Sequence, residues 1–143
     1  MKINDVIHAK AKQSVVTIAP DATVRELIAL LAEHNVGALV VSEDGEQVSG
    51  IVSERDVVRR LHTDDAVLDT LVSQIMTAEV RTCAGDDRLT DLMQTMTEHR
   101  IRHVPVVADG RLTGIISIGD VVKNRIGELE FERDQLDSYV HQT

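Results

Sequence analysis

Gly50-Ile51-Val52-Ser53-Glu54-Arg55-Asp56-Val57-Val58 and Gly114-Ile115-Ile116-Ser117-Ile118-Gly119-Asp120-Val121-Val122 share six of nine residues at a spacing of 64. In each, a short apolar run leads into a serine placed as a helix N-cap, with an aspartate three residues on and a valine pair behind it. Strand, cap and helix start thus occur twice. Upstream, at a spacing of 65, Val15 to Gly45 aligns with Val80 to Gly110, and ten of 31 positions are identical, among them Thr17/Thr82, Asp21/Asp86, Leu27/Leu92, His34/His99 and Asp44/Asp109. The chain is an internal duplication, and its fold is the fold of one unit used twice.

Each unit opens on a strand, Val15 to Ile18 or Val80 to Cys83, and continues into a helix. Val24, Leu27, Ile28 and Leu31 in the first copy, and Leu89, Leu92, Met93 and Met96 in the second, recur at helical spacing and predict one buried face each. Two more strands follow, Ala38 to Ser42 and Val48 to Ser53, then His103 to Val107 and Leu112 to Ser117. The turn signals Asp44-Gly45 and Asp109-Gly110 join them into hairpins. The order strand, helix, strand, strand, helix defines an α+β fold of two pseudo-symmetric repeats. A unit of about 50 residues is small for a core of its own, so the two are expected to pack through their sheets and share one. Ile3 to Ile7 matches Val72 to Met76 in apolar spacing and predicts a short helix ahead of each copy. The expected division is residues 1–61, a linker at 62–71 carrying Thr63-Asp64-Asp65, a second repeat at 72–125, and a C-terminal helix at 126–143.

Composition removes several classes of function. Fifteen Lys and Arg stand against 24 Asp and Glu in 143 residues, a net charge of −9 that repels a phosphate backbone. The two aromatic residues, Phe131 and Tyr139, fall in the last thirteen positions, so residues 1 to 130 offer no ring for base stacking. Nucleic acid is therefore not an expected partner. No apolar run approaches the roughly 18 residues of a membrane span, and the N-terminus has no signal-peptide character, so the expectation is a soluble protein. Cys83 is the single cysteine, which fits a reducing cytoplasm.

The repeat resembles that of the cystathionine-β-synthase (CBS) domain family, a tandem pair of which makes a cytoplasmic regulatory module. The resemblance covers roughly residues 1 to 125 and is carried by the octapeptide G-h-h-[ST]-x-x-D-h, met at Gly50 to Val57 and again at Gly114 to Val121. Arg102-His103-Val104-Pro105-Val106-Val107 is similar to the family's second-strand signature, whereas Gly37-Ala38-Leu39-Val40-Val41 lacks the proline. The small stand-alone bacterial CBS pairs are the nearest in form.

The resemblance implies a non-catalytic sensor binding adenosine-containing ligands (AMP, ADP, ATP, NAD(H) or S-adenosylmethionine) in clefts between the copies. Ser53 and Ser117, beside free N–H groups at a helix start, are assigned to phosphate. Asp56 and Asp120, one turn on, are assigned to the ribose hydroxyls. Ile18, Cys83, Val104 and Pro105 are assigned to the purine wall. Arg55 gives the first cleft a cation where Gly119 gives the second only close backbone approach, and Arg102, with Arg59, Arg60, Arg100 and Lys123, is a further source of positive charge. His103 is a functional candidate from its place beside Pro105. The alternative is a ligand-independent dimerisation module with vestigial clefts. An enzyme is disfavoured, because no residue set supplies a nucleophile and a positioned base.

Other residues have plainer roles. His34 and His99 sit at helix ends, where donors suit exposed carbonyls, and no zinc-like set accompanies them. Asp86 and Asp87 read as helix caps, and Cys83 as a small core residue. After Val122, the positions Ile126, Leu129, Leu136 and Val140 keep an apolar beat interrupted by Arg133, while residues 127–143 carry a net −4. Such a helix should pack back on its own domain or on another subunit, and a homodimer is the expectation, with Phe131 and Tyr139 as contacts.

Overall fold

A computed structural model describes residues 1–10 and 14–141. Thr17–Ile18 (β1), Val24–His34 (α2), Ala38–Val41 (β2), Gly50–Ser53 (β3) and Glu54–Leu61 (α3) form the first repeat. Leu89–His99 (α5), His103–Ala108 (β4), Arg111–Ser117 (β5) and the long Ile118–His141 (α6) form the second, and Ile3–Ala9 (α1) and Val72–Ile75 (α4) are the short helices ahead of each copy. β1 runs parallel to β2 and β2 antiparallel to β3, while β4 and β5 pair alone. The opening strands are shorter than their apolar runs suggested. Cys83 keeps one parallel bridge to Val106 and stands where Ile18 stands against Val41 in the first copy.

Local chemistry explains the element ends. Thr23 caps α2 through a reciprocal box: Glu26 N donates to Thr23 Oγ1 at 3.2 Å, and Thr23 N donates to the Glu26 carboxylate at 3.1 Å. Both α2 and α5 close on a left-handed residue, Asn35 (φ 51°) and Arg100 (φ 53°). The next amides then bond back, Val36 N to Leu31 O and Ile101 N to Met96 O, each at 3.1 Å. These caps close the helices that end at His34 and His99. Asp87 caps the turn before α5 instead of the helix itself, its carboxylate accepting Ala84 N at 2.8 Å. The two Asp-Gly turns differ. Asp109 and Gly110 both have positive φ (53° and 77°) and make a two-residue turn between paired Ala108 and Arg111. In the longer first-copy loop, Asp44 Oδ1 instead accepts Glu46 N and Gln47 N, both at 2.9 Å, and strand pairing begins only at Gly50.

In place of one shared core the structure has two, and each is completed by a helix from outside its own repeat. Ile3, Val6 and Ile7 of α1 pack with Leu89, Leu92, Met96, Val104, Val106, Ile116 and Val121. Val72 of α4, with Ile75 and Met76 at the margin, packs with Ile18, Val24, Leu27, Leu31, Leu39, Val41, Val52 and Val57. Main-chain bonds repeat the exchange: Ile3 N reaches Asp87 O and Asn4 N reaches Gly85 O, as Val72 N reaches Ala22 O and Ser73 N reaches Pro20 O, all at 2.8 to 2.9 Å. Ile28, expected inside, is 39% exposed, because the buried arc of α2 covers only Val24, Leu27 and Leu31. Residues 62–71 hold a 3-10 turn, Val67–Asp69, whose Val67 is fully buried in the first core.

The repeats meet through their sheets and hairpins. β2 is buried at all four residues, Leu39 and Val41 facing the first core while Ala38 and Val40 alternate with them. Leu112 N donates to Glu46 O at 2.6 Å, and Arg111 pairs with Glu46 at 3.9 Å, tying the second hairpin to the first-copy loop. α6 continues the second repeat's last helix without a break to His141. Of its residues only Val121 is buried, and the expected segment's last two positions, Gln142 and Thr143, lie outside the described residues.

Candidate functional site

The motif of each repeat lies where a strand ends and a helix begins, and the same anchor sets both. Glu54 N donates to Gly37 O at 3.0 Å, and its counterpart Ile118 N donates to Arg102 O at 2.8 Å. Each motif helix therefore starts against the residue just ahead of the first strand of its repeat's hairpin, β2 or β4.

In the first copy Ser53 and Asp56 hold one another. Asp56 Oδ2 accepts Ser53 N at 2.8 Å and Ser53 Oγ at 3.1 Å, while Ser53 Oγ accepts Asp56 N at 3.4 Å. This is a reciprocal helix cap, and both residues remain half-exposed. Among the described residues Asp56 has no ion-pair partner, and Arg55 is exposed one position before it.

The second copy repeats the cap and adds a cation. Asp120 Oδ2 accepts Ser117 N at 3.0 Å, and Asp120 N donates to Ser117 Oγ at 3.2 Å. Lys10, the residue that closes α1, also places Nζ 2.9 Å from Asp120 Oδ2 and 2.9 Å from Ile115 O. Burial works against ionisation of Asp120, yet the bonds from Ser117 and Lys10 outweigh it and hold the carboxyl below the usual range. Lys10 was not legible as a site residue, because it is 110 positions from Asp120 and its own neighbourhood shows only a short helix.

His103 stands between the two motifs. A β-carbon on Gly37 would lie 3.4 Å from Glu54 Oε1 and 3.6 Å from His103 Cε1, so carboxylate and ring close over the glycine from opposite repeats. Burial drives the imidazole below its ordinary value, with Arg102 and Lys10 adding to that push and Asp120 and Glu54 opposing it. The ring is neutral at pH 7 and offers one donor and one acceptor. Arg102 is exposed, and Gly119 leaves open space, an added β-carbon there meeting only Ser117 Oγ at 3.6 Å.

The expected purine wall differs. Ile18 (5% exposed), Cys83 (9%) and Val104 (1%) spend their side chains inside the two cores, which correct packing requires of strand residues on that face. Their side chains are thus removed from the expected wall. Pro105 is buried on the alternate face of β4, and its carbonyl accepts Cys83 N at 3.0 Å. Of the further arginines, Arg60 is paired with Asp64 at 3.8 Å toward the far end of α3.

Two strand-to-helix junctions with a serine and a carboxylate, one in each repeat, define a tandem pair. The chain belongs to the CBS domain family, whose pattern it matches over residues 4–63 and 72–127. It is 38% identical over 146 residues to the mitochondrial CBS domain-containing protein CBSX3 of Arabidopsis thaliana, covering 96% of this chain and 71% of that one. The crystal structure of a CBS-domain-containing protein from Agrobacterium tumefaciens superposes with a TM-score of 0.83 at 42% identity, over 87% of this chain and 99% of that one. The fold is also that of the CBS domain pair of protein MJ0100, solved in complex with 5′-methylthioadenosine and S-adenosyl-L-methionine: TM-score 0.79, 22% identity, 90% of this chain and 98% of that one. CBS pairs are regulatory modules, and among the described residues no helix is long and apolar enough to cross a membrane.

Proposed function

We propose that the chain is a non-catalytic sensor that binds adenosine-containing ligands, AMP, ADP, ATP or NAD(H), in its two motif crevices and signals occupancy to a partner protein. The observation that carries this reading is the pair of half-exposed carboxylates, Asp56 and Asp120, each fixed one turn into a helix by its own serine. Fixed carboxylates suit a ribose diol, and the helix-start amides of Arg55 and Gly119, beside Ser53 and Ser117, suit phosphate. Arg55 and Arg102 supply charge, Gly119 supplies approach, and Pro105 and the main chain of Ile18, Cys83 and Val104 remain for the base. The adenosine compounds bound by the MJ0100 pair support the choice of ligand class. The single buried cysteine suits a reducing cytoplasm.

The partner in solution is a second copy. Val58 on α3 (67% exposed) and its repeat equivalent Val122 on α6 (48%) leave matching apolar positions, and Phe131 (63%) and Tyr139 (72%) extend the surface along α6. Two pseudo-equivalent patches on one chain fit a twofold interface. That stripe also favours the second reading, a dimerisation module whose crevices are unused.

Calorimetric titration with AMP, ADP, ATP, NAD, NADH and S-adenosylmethionine, alongside light scattering for mass, separates the two. The sensor reading expects at least one ligand to bind, with Asp56→Ala or Asp120→Ala weakening it by about tenfold or more. A dimer that binds none of the six supports the second reading.

A further inference from the structure

Asp56 and Asp120 occupy equivalent positions, but among the described residues only Asp120 is paired with a cation. The exchanged main-chain bonds align Ile3 with Val72, each donating to the residue at the same place in the other repeat, Asp87 or Ala22. Continued along the chain, that alignment sets Lys10 opposite Glu79. The segment that closes α1 brings an ammonium to the second crevice, whereas the aligned position after α4 is an exposed glutamate.

Lys10 and Asp120 are shielded but not sealed, with side chains 25% and 22% exposed. Asp120 Oδ2 already accepts two donors, Ser117 N and Lys10 Nζ. A ribose diol approaching this carboxylate competes with a charge-assisted bond, whereas at Asp56 it competes with the amide and hydroxyl of Ser53, neither of which is charged. Among the described residues, an ammonium that gives up the carboxylate keeps only the carbonyl of Ile115. An uncharged nucleoside offers it no replacement. A phosphate does, and the third N–H of Lys10, which has no partner among the described residues, can meet it.

We propose that Lys10 is the specificity-determining residue of the second crevice, releasing Asp120 only to a ligand that brings its own anion. Resting on the adenosine reading above, this makes the Asp120 crevice a site for phosphorylated adenosine ligands that discriminates against the nucleoside, and leaves the Asp56 crevice without that filter. Lys10 also ties α1 to α6, so the test needs a readout that a purely structural ion pair does not move, namely the ratio of two affinities.

The full chain carrying Asp56→Ala isolates the second crevice. Calorimetry with AMP and with adenosine is expected to show AMP bound about fivefold or more tighter, the scale of one partly exposed ion pair. Adding Lys10→Met is expected to strengthen adenosine, weaken AMP and bring the ratio to near one. Lys10→Arg keeps the preference, and Lys10→Gln serves as a second neutral variant should Lys10→Met fold poorly. A ratio unchanged in the neutral variants, while Asp120→Ala still abolishes binding, overturns the role of Lys10 and leaves the adenosine reading intact. Binding of neither ligand, or binding indifferent to Asp120→Ala, overturns the adenosine reading of this crevice and the filter together.

Discussion

Ile3 belongs by sequence to the first repeat and by packing to the second, so Ile3→Ala is a direct test of the exchange. Its side chain is fully buried against Leu89, Leu92, Met96 and Ile116. Truncating a buried isoleucine to alanine costs about 2 to 5 kcal/mol, a transfer loss plus the cavity left behind. Against the roughly 5 to 15 kcal/mol that hold a domain together, the variant folds but melts about 10 °C lower. Urea unfolding followed by circular dichroism gives the total, and amide hydrogen exchange in low urea gives its location. Faster exchange is expected first at Leu92, Met96 and Ile116, with Leu27, Leu31 and Val52 still protected. Val72→Ala, which opens the first core, should reverse that order at a cost of about 2 to 3 kcal/mol. A loss below about 0.5 kcal/mol, the size of a surface change, or loosening of the first repeat by Ile3→Ala, would refute the exchanged packing.

Gly50→Ala is expected to destabilise by about 1 to 3 kcal/mol in chemical denaturation, because its new carbon would sit 2.8 Å from Thr77 O and 2.7 Å from Met76 Sδ. Gly114→Ala should cost less, since the end of the Ile7 side chain, 2.9 Å away, can turn; equal losses would contradict this. Burial, with Asp87 adding to it, pushes the Cys83 thiol up to about 12. The folded protein should therefore resist thiol reagents at pH 8 until urea unfolds it, and its stability should fall as pH rises above about 9, where only the unfolded thiol ionises. Labelling at the same rate with and without urea would count against a buried thiol. Asp120 is held below the usual carboxylate range, so its contribution is complete above pH of about 4 and fades as pH falls through its folded value. Asp120→Asn should flatten the acid limb of a urea-midpoint series from pH 7 to 3, and parallel curves for the two proteins would deny that contribution.

What could be read from the sequence was local. The Ser53/Asp56 and Ser117/Asp120 spacings are capping geometry, and three residues of separation suffice to write it. Asp109-Gly110 reads as a two-residue turn because both positions accept positive φ, whereas Asp44-Gly45, in a loop one residue longer, spends its carboxylate on loop amides. The apolar beat of Ile3, Val6 and Ile7 announced a buried helical face but carried no address for the core that would receive it. Lys10 and Asp120 likewise meet across 110 positions, a contact that only the exchanged helix creates. Ile18, Cys83 and Val104 were legible as strand residues, yet which side of the strand each would show was fixed by sheet packing.

The traded helices bear on how such a chain can be divided. A cut through residues 62–71 separates the two copies in the primary structure but leaves each piece holding a cap that fits its sibling. Neither fragment can close its own interior, so half-length versions should recover order only by mixing with the complementary half or by lending caps between two identical molecules. The duplication is in this sense a tethered pair of mutually dependent halves, and inheritance of one without the other would not yield a smaller working unit.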